Sequence, residues 1–206
     1  MTVLNCAHER FYGPLLNEAE LKNFVIQPEN RGTAPAILAA LLRLLATGHT
    51  GPVAIFPSDH YVSDDFVLMR HVSTALHAVD LSPRMIVLLG ITPDGPETEY
   101  GWIEPGAPVA ASHPLLAQIS QIRRFWEKPS SSIARDLYDR GYLWNSFILV
   151  AEALTLVSLI ARALPELHSA FAGVRSLLDD ATEHATEQEM LRTIYRDLPS
   201  IDFLRP

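Results

Sequence analysis

The stretch Val53-Ala54-Ile55-Phe56-Pro57-Ser58-Asp59-His60-Tyr61 reads as a buried strand running out into a polar loop. Its first half is a continuous apolar run, set between Gly51-Pro52 and Pro57. Such a run predicts a strand covered on both faces, as in a parallel sheet flanked by helices. Its second half places a carboxylate, Asp59, at the strand's end, with polar Ser58 and His60 beside it. Ligands of open α/β sheets gather at the carboxyl ends of strands. An acid there can hold a hard divalent cation against phosphate oxygens. The plainer alternative is that Asp59 caps a helix beginning near Asp64, or sits in a solvated turn.

Around this stretch the chain alternates between strand and helix patterns. Residues 2–6 and 24–27 read as strands, and 9–20 between them as a helix. Thr33 can cap a helix over 34–46, with Pro35 in its first turn. That helix is apolar on most faces (Ile37, Leu38, Leu41, Leu42, Leu44, Leu45), which predicts a sandwiched position. After the Asp59 strand comes a helix over 64–79, with Phe66, Met69, Ser73, Leu76 and Val79 on one side. A buried strand at 85–91 follows. This rhythm predicts a Rossmann-like α/β fold, a mostly parallel sheet with flanking helices and right-handed crossovers. Residues 93–114 are richer in Pro and Gly, with a short candidate strand at 100–104. Strands at 121–126 and 143–151, a short helix at 130–139 and a long helix at 152–172 come next. From Gly173 the pattern is helical, with a final helix over 186–196. We expect one domain over 1–206, with an insertion around 93–150.

Composition narrows the classes of function. A chain of 206 residues, 48% hydrophobic and 19% charged, can bury a sizeable core and is not disordered. Its net charge of -8 speaks against a nucleic-acid groove, which needs a clustered basic surface. The single Cys6 rules out an intrachain disulfide and a cysteine-rich metal site. No apolar run reaches the length of a membrane span, and no secretory leader is visible. The expectation is cytoplasmic, with no nucleic-acid or membrane partner. His8, His49, His71, His77, His113, His168 and His184 lack ligand spacing and read as surface or capping residues. His60 is read as a supporting group.

Four further stretches carry candidate chemistry. Gln27-Pro28-Glu29-Asn30-Arg31-Gly32-Thr33-Ala34-Pro35-Ala36 crowds small and polar residues between a strand and a helix start. A ring or an anion can approach the backbone there, or the stretch is an ordinary capped helix. In Glu99-Tyr100-Gly101-Trp102-Ile103-Glu104 a Gly between aromatics either admits a ligand or marks a bulge. Phe125-Trp126-Glu127-Lys128-Pro129 puts a carboxylate and an ammonium at a strand end, suited to a sugar hydroxyl and a phosphate. Leu143-Trp144-Asn145-Ser146 puts an amide and a hydroxyl before an apolar run.

In this order, Pro28–Ala36, Pro57-Ser58-Asp59-His60, Glu97–Glu104, Phe125–Pro129 and Trp144-Asn145-Ser146 together resemble the sugar-phosphate nucleotidyltransferases. The nearest branch is the mannose-1-phosphate guanylyltransferases. Leu198-Pro199-Ser200-Ile201-Asp202-Phe203 resembles the family's segment before its last active-site strand. The resemblance implies a Rossmann-like sheet with a sugar-binding insertion. It implies transfer of a nucleotidyl group from a nucleoside triphosphate, GTP favoured, to a hexose 1-phosphate, mannose 1-phosphate favoured, with magnesium as cofactor. Asp59 would be the magnesium ligand and, with Lys128, a catalytic residue. Gln27, Gly32, Thr33 and Ser58 would bind the nucleotide, and Gly101, Glu127 and Asn145 the sugar.

The departures set further expectations. The family's opening Gly-rich loop has no counterpart here, and its second metal-binding Asp follows the segment at which this sequence stops. The expectation is a fragment with impaired transfer, and a sheet edge left for a covering strand, a partner or a second copy. Gln27 stands where guanylyltransferases often carry Glu, and Phe147 where the family usually has Gly. Base and sugar preference therefore stay open. The alternatives are a non-catalytic nucleotide-sugar-binding module and a pyrophosphorylase for another base or sugar.

Overall fold

A computed structural model of the chain describes residues 1–15, 23–109, 113–172 and 184–203. They form two compact units, one of Met1–Thr50 with Ala153–Pro206 and one of Gly51–Glu152.

In the first unit, β1 (Thr2–Asn5) and β2 (Phe24–Gln27) pair in parallel, Thr2 opposite Phe24 and Asn5 opposite Gln27. After β1 the Asn5 side chain accepts from the Ala7 N–H at 2.9 Å and starts a 3-10 turn, Cys6–His8. The helix expected over 9–20 is a single turn, α1 (Glu9–Tyr12), followed by a second 3-10 turn at Gly13–Leu15. Pro14 has no N–H to donate to the Arg10 carbonyl, so the α-helical ladder cannot continue. The rest of that expected helix lies outside the described residues. Helix α2 (Thr33–Ala46) buries Ala34, Ile37, Leu38, Leu41 and Leu42, as its apolar pattern predicts. Its start differs from expectation. Thr33 is the first helical residue rather than the cap, and Gly32 holds the cap position without a side-chain bond.

The second unit opens with β3 (Pro52–Ile55), whose four residues are all half-buried. Asp64 caps α3 (Asp65–Leu81), its side chain accepting from the Val67 N–H at 2.9 Å. The face of α3 that packs inward carries Val72, Ala75, Ala78 and Val79, with Leu68 and Leu76 at its margin. Phe66 and Met69, expected on that face, are 77% and 51% exposed. The buried stripe lies one residue round from the sequence reading because the small alanines, not the larger apolar residues, touch the sheet. Then come β4 (Ile86–Ile91), β5 (Trp102–Pro108), β6 (Ser120–Trp126) and α4 (Ser131–Asp139). Last is β7 (Leu143–Glu152), whose Ser146 and Ile148–Ala151 are buried.

β7 is the centre of this sheet. It pairs antiparallel with β3 on one side and β4 on the other, so that Ala151 faces both Val53 and Ile86. Beyond β3, along the same side, Trp144 and Leu143 pair with Trp102 and Ile103 of β5, and β5 pairs with β6. The α/β class with flanking helices is as expected, but among the described residues the pairings of this sheet are antiparallel rather than mostly parallel, because β7 runs against both β3 and β4. β3 and β4 run in the same direction and α3 connects them, as the rhythm predicts. What the rhythm could not show is that the most apolar strand inserts between them from much later in the chain. Among the described residues β3 has β7 as its one neighbour, so the apolar run around Asp59 lies on a half-buried edge rather than being covered on both faces.

The chain then returns to the first unit. The helix expected over 152–172 is two helices, α5 (Ala153–Ala163) and α6 (Pro165–Ala170). Pro165 pushes the residue before it out of the helical region, and Leu164 sits at φ -133, ψ 63. Leu156, Val157 and Ile160 of α5 are buried, and α5 packs on α2, whose other neighbours are β1 and β2. Helix α7 (His184–Asp197) buries Leu191 and Tyr195, the latter edge-on to Phe171 with ring centroids 6.0 Å apart. Among the described residues no helix is long and apolar enough to cross a membrane.

Candidate active site

Three indoles set the geometry of the second unit's site. Trp102 of β5 faces Trp144 of β7 on one side and Trp126 of β6 on the other. Trp102 is fully buried, and its indole N–H donates to the Glu97 carbonyl at 2.9 Å. One residue along each strand, the same register brings together Asn145, Gly101 and Glu127. The Asn145 N–H donates to the Gly101 carbonyl at 2.8 Å. A Cβ on Gly101 would fall 3.0 Å from Glu127 Oε2 and 3.6 Å from Asn145 Cβ. The glycine therefore leaves the carboxylate and the amide room to stand side by side. The three residues that the sequence assigns to the sugar form one row across three strands.

The Asn145 end of that row is held by an irregularity. Between Leu88 and Gly90 the register of β4 against β7 shifts, so that Leu88 faces Leu149 but Gly90 faces Asn145. Two extra residues of β7 bulge out. Asn145 Oδ1 accepts from the Phe147 N–H at 3.0 Å. The buried Ser146 hydroxyl donates to the Leu89 carbonyl at 2.5 Å and accepts from the Ile148 N–H at 3.0 Å. These bonds replace the ladder bonds that the bulge interrupts. The Phe147 bond also uses one lone-pair direction of the Asn145 oxygen, while the amide N–H2 keeps its capacity to donate.

Backbone strain marks the same place. Among the described residues the non-glycine positions with positive φ are Lys128 (φ 42) and Phe147 (φ 58). One follows Glu127 directly and the other lies two residues after Asn145. Strain of this kind costs about 1–3 kcal/mol and clusters at functional sites. The Lys128 ammonium lies 3.3 Å from the Glu99 carboxylate, in a pair whose side chains are 51% and 76% exposed. Exposed pairs are weak, so a phosphate can displace the carboxylate.

Ser58, Asp59 and His60 lie in the exposed loop after β3. Among the described residues no three His, Cys, Asp or Glu side chains gather to hold a metal ion. Magnesium needs less than that, because one or two carboxylates with phosphate and water commonly complete its shell. An exposed Asp59 fits such a partial site.

In the first unit, Gln27 sits at the end of β2 with its Oε1 accepting from the Tyr195 hydroxyl at 3.2 Å. Burial pushes the Tyr195 phenol well above its ordinary value, so it stays protonated and donates. Gly32 is in the left-handed region at φ 84, and its close neighbour is the chain itself, since a Cβ there would meet the Ile201 carbonyl oxygen at 2.4 Å. Ile201 donates to the Arg31 carbonyl at 2.9 Å and accepts from Ala34 N–H at 3.1 Å. Phe203 N–H donates to the Thr33 hydroxyl at 2.8 Å. Arg31 Nε donates to the Tyr195 carbonyl at 3.1 Å and its Nη2 to the Arg196 carbonyl at 3.3 Å, capping the end of α7.

Sequence reasoning missed Tyr195, which orients Gln27, and Glu99, which holds Lys128. The Glu99-Tyr100 stretch was legible as a motif, but no periodicity links Tyr195 to Gln27.

Residues 4–186 match the sequence profile of the family described as nucleotidyl transferase. A mannose-1-phosphate guanylyltransferase of Escherichia coli is 29% identical over 162 residues, 78% of this chain and 33% of that protein. The xanthan biosynthesis protein XanB of Xanthomonas campestris is 31% identical over 147 residues, 71% of this chain and 29% of its own. The chain thus spans about a third of the length of the curated relatives it matches. A crystal structure described as mannose-1-phosphate geranyltransferase from Thermus thermophilus superposes with a TM-score of 0.77 at 30% identity, covering 97% of this chain and 52% of that one. One described as mannose-6-phosphate isomerase from Helicobacter pylori, at 20% identity and TM-score 0.66, covers 97% of this chain and 75% of its own and shares the fold.

Proposed function

The chain belongs to the nucleotidyl transferase family, and on that premise we propose that its protein joins a nucleoside triphosphate to a hexose 1-phosphate. GTP and mannose 1-phosphate are the favoured pair, in line with the names of the relatives. In the reaction, an oxygen of the sugar phosphate attacks the α-phosphorus, a new O–P bond forms, and the bond to the leaving pyrophosphate breaks. Such chemistry rests on positioning and charge neutralisation more than on covalent help.

The observation that carries this reading is the row Asn145–Gly101–Glu127. It offers an amide donor and a carboxylate acceptor side by side, which suits neighbouring hydroxyls of a sugar ring. Lys128, next to Glu127, would take the sugar phosphate from its exposed pairing with Glu99. Asp59 would supply one carboxylate oxygen to magnesium, with Ser58 beside it at the nucleotide. A bound magnesium ion would neutralise charge on the phosphate oxygens.

Gln27 and the backbone around Gly32 and Thr33 would take the base. With its oxygen engaged by Tyr195, Gln27 offers an N–H2 donor. A donor suits a base that presents a carbonyl oxygen, as guanine, uracil and thymine do, and leaves the adenine amino group without an acceptor. The exposed Cys6 thiol suits a reducing cytoplasm.

The test is a thermal-shift panel of GTP, UTP, dTTP and ATP with magnesium. The expected result is stabilisation by the carbonyl-bearing bases and little by ATP, with Gln27→Glu narrowing the response toward GTP. Equal shifts with ATP, or none with any nucleotide, would overturn the assignment of the base to Gln27.

A further inference from the structure

A cleft of about 640 Å³ in the first unit holds none of the residues assigned above to nucleotide or sugar. One wall is α7, which brings Gln188, Arg192 and Arg196 to the cleft at intervals of one helical turn. The facing wall is built by the turns after β1 and β2, with Cys6, Glu9, Tyr12 and Glu29. A cleft of this volume is in the range of small-molecule sites, about 300–1,000 Å³.

Its polar groups are unevenly matched. Glu29 is held by Arg31 at 2.7 Å. The Cys6 thiol donates to the Pro28 carbonyl. Arg192 has an exposed contact with Glu189 at 3.4 Å, which solvent screens. The Arg196 guanidinium makes no ion pair among the described residues. Gln188 Nε2 is buried with no hydrogen-bond partner among the described residues. Burial, reinforced by Glu9 and then Cys6, raises the Tyr12 phenol above its ordinary value, so it too remains a donor. Against these donors and two guanidinium groups, the one lining carboxylate without an ion pair among the described residues is Glu9. The deficit is of acceptors and of negative charge.

We propose that this cleft binds a phosphate-bearing small molecule, with the phosphate oxygens on Arg192, Arg196 and the Gln188 amide. Guanidinium groups one turn apart match the forked geometry of a phosphate and keep their charge at any working pH. The buried amide gains the acceptor it lacks. The site uses none of the residues proposed for the transfer and needs no metal.

Calorimetric titration of inorganic phosphate and of pyrophosphate into the chain, in EDTA, tests this. EDTA removes the divalent ion proposed for Asp59, and the Asp59 and Lys128 variants below report on phosphate held at the transfer site, so binding there and here are distinguishable. Saturable binding is expected, weakened roughly tenfold in Arg196→Gln, as loss of a charge-assisted hydrogen bond implies. It is weakened further in Arg192→Gln/Arg196→Gln, and unchanged in Asp59→Asn and Lys128→Gln. Urea midpoints confirm that each variant is folded. In the wild-type chain, phosphate should shift the side-chain NMR signals of Arg192, Arg196 and Gln188. This readout stands even where a variant fails to fold. No saturable binding, undiminished binding in the folded double variant, or shifts confined to other residues would each overturn the proposal.

Discussion

Replacing Gly32 by Ala tests why that glycine is there. At φ 84, ψ -175 the backbone lies in a region essentially restricted to glycine, and an L-residue there costs about 1–3 kcal/mol. The new methyl would also lie 2.4 Å from the Ile201 carbonyl oxygen and 2.7 Å from its carbon, both backbone atoms that cannot rotate away. Relief requires the segment around Ile201 to move, which loses its bonds to Arg31 at 2.9 Å and Ala34 at 3.1 Å and the Phe203 bond to Thr33 at 2.8 Å. At about 0.5–1.5 kcal/mol for each of the three bonds, with the strain added, the loss is about 2.5–7.5 kcal/mol. Gly48→Ala is the control, because Gly48 has φ 83 but nothing within 4 Å of its would-be Cβ. It should cost about 1–2 kcal/mol for the backbone alone. Urea unfolding gives the two differences, and hydrogen exchange at the amides of Ala34, Ile201 and Phe203 shows whether the segment detaches. If Gly32→Ala matched Gly48→Ala and those amides kept their protection, the packing argument would be wrong.

Other consequences follow from the same contacts. Gly101→Ala places a methyl against the mobile end of Glu127 rather than against backbone, so stability should change by less than about 0.5 kcal/mol. Hexose 1-phosphate binding, read by calorimetry, should fall about tenfold as the carboxylate is displaced. Ser146→Ala leaves the Leu89 carbonyl and the Ile148 N–H short of a buried partner and should cost about 1–3 kcal/mol in urea unfolding. The Tyr195 phenol is raised by burial from its ordinary 10.0, so the unfolded chain releases this proton first as pH rises. Its contribution is complete below pH 10 and is lost above it, and Tyr195→Phe should flatten that alkaline decline in stability.

Much of this architecture was legible locally. The apolar α2 and the Asp64 start of α3 follow from propensity and periodicity over a few turns. The candidate sugar residues were picked out by their resemblance to family motifs, each next to a tryptophan. Their meeting in one row was not readable, since it depends on the register of β5 against both β6 and β7. The breaks at Pro14 and Pro165 were readable and outweigh the apolar periodicity around them. The face of α3 was misjudged because size alone favoured Phe66 and Met69 over the alanines that fit the sheet. Asp59 remains a single carboxylate on an exposed loop, so its role as a metal ligand rests on resemblance rather than on neighbours. Gly32 shows the deepest limit. The sequence suggests a backbone opened to a ligand, and it could not show that the Cβ side is filled by Ile201 from the far end of the chain.

The central claim is that Asn145, Gly101 and Glu127 form a sugar-phosphate site. Titration calorimetry of mannose 1-phosphate into the wild-type chain, Asn145→Ala and Glu127→Gln tests it most directly. The expected result is saturable binding by the wild type, and weakening of about tenfold or more in each variant with unfolding midpoints close to wild type. Equal binding by all three, or no binding by the folded wild-type chain, would contradict it.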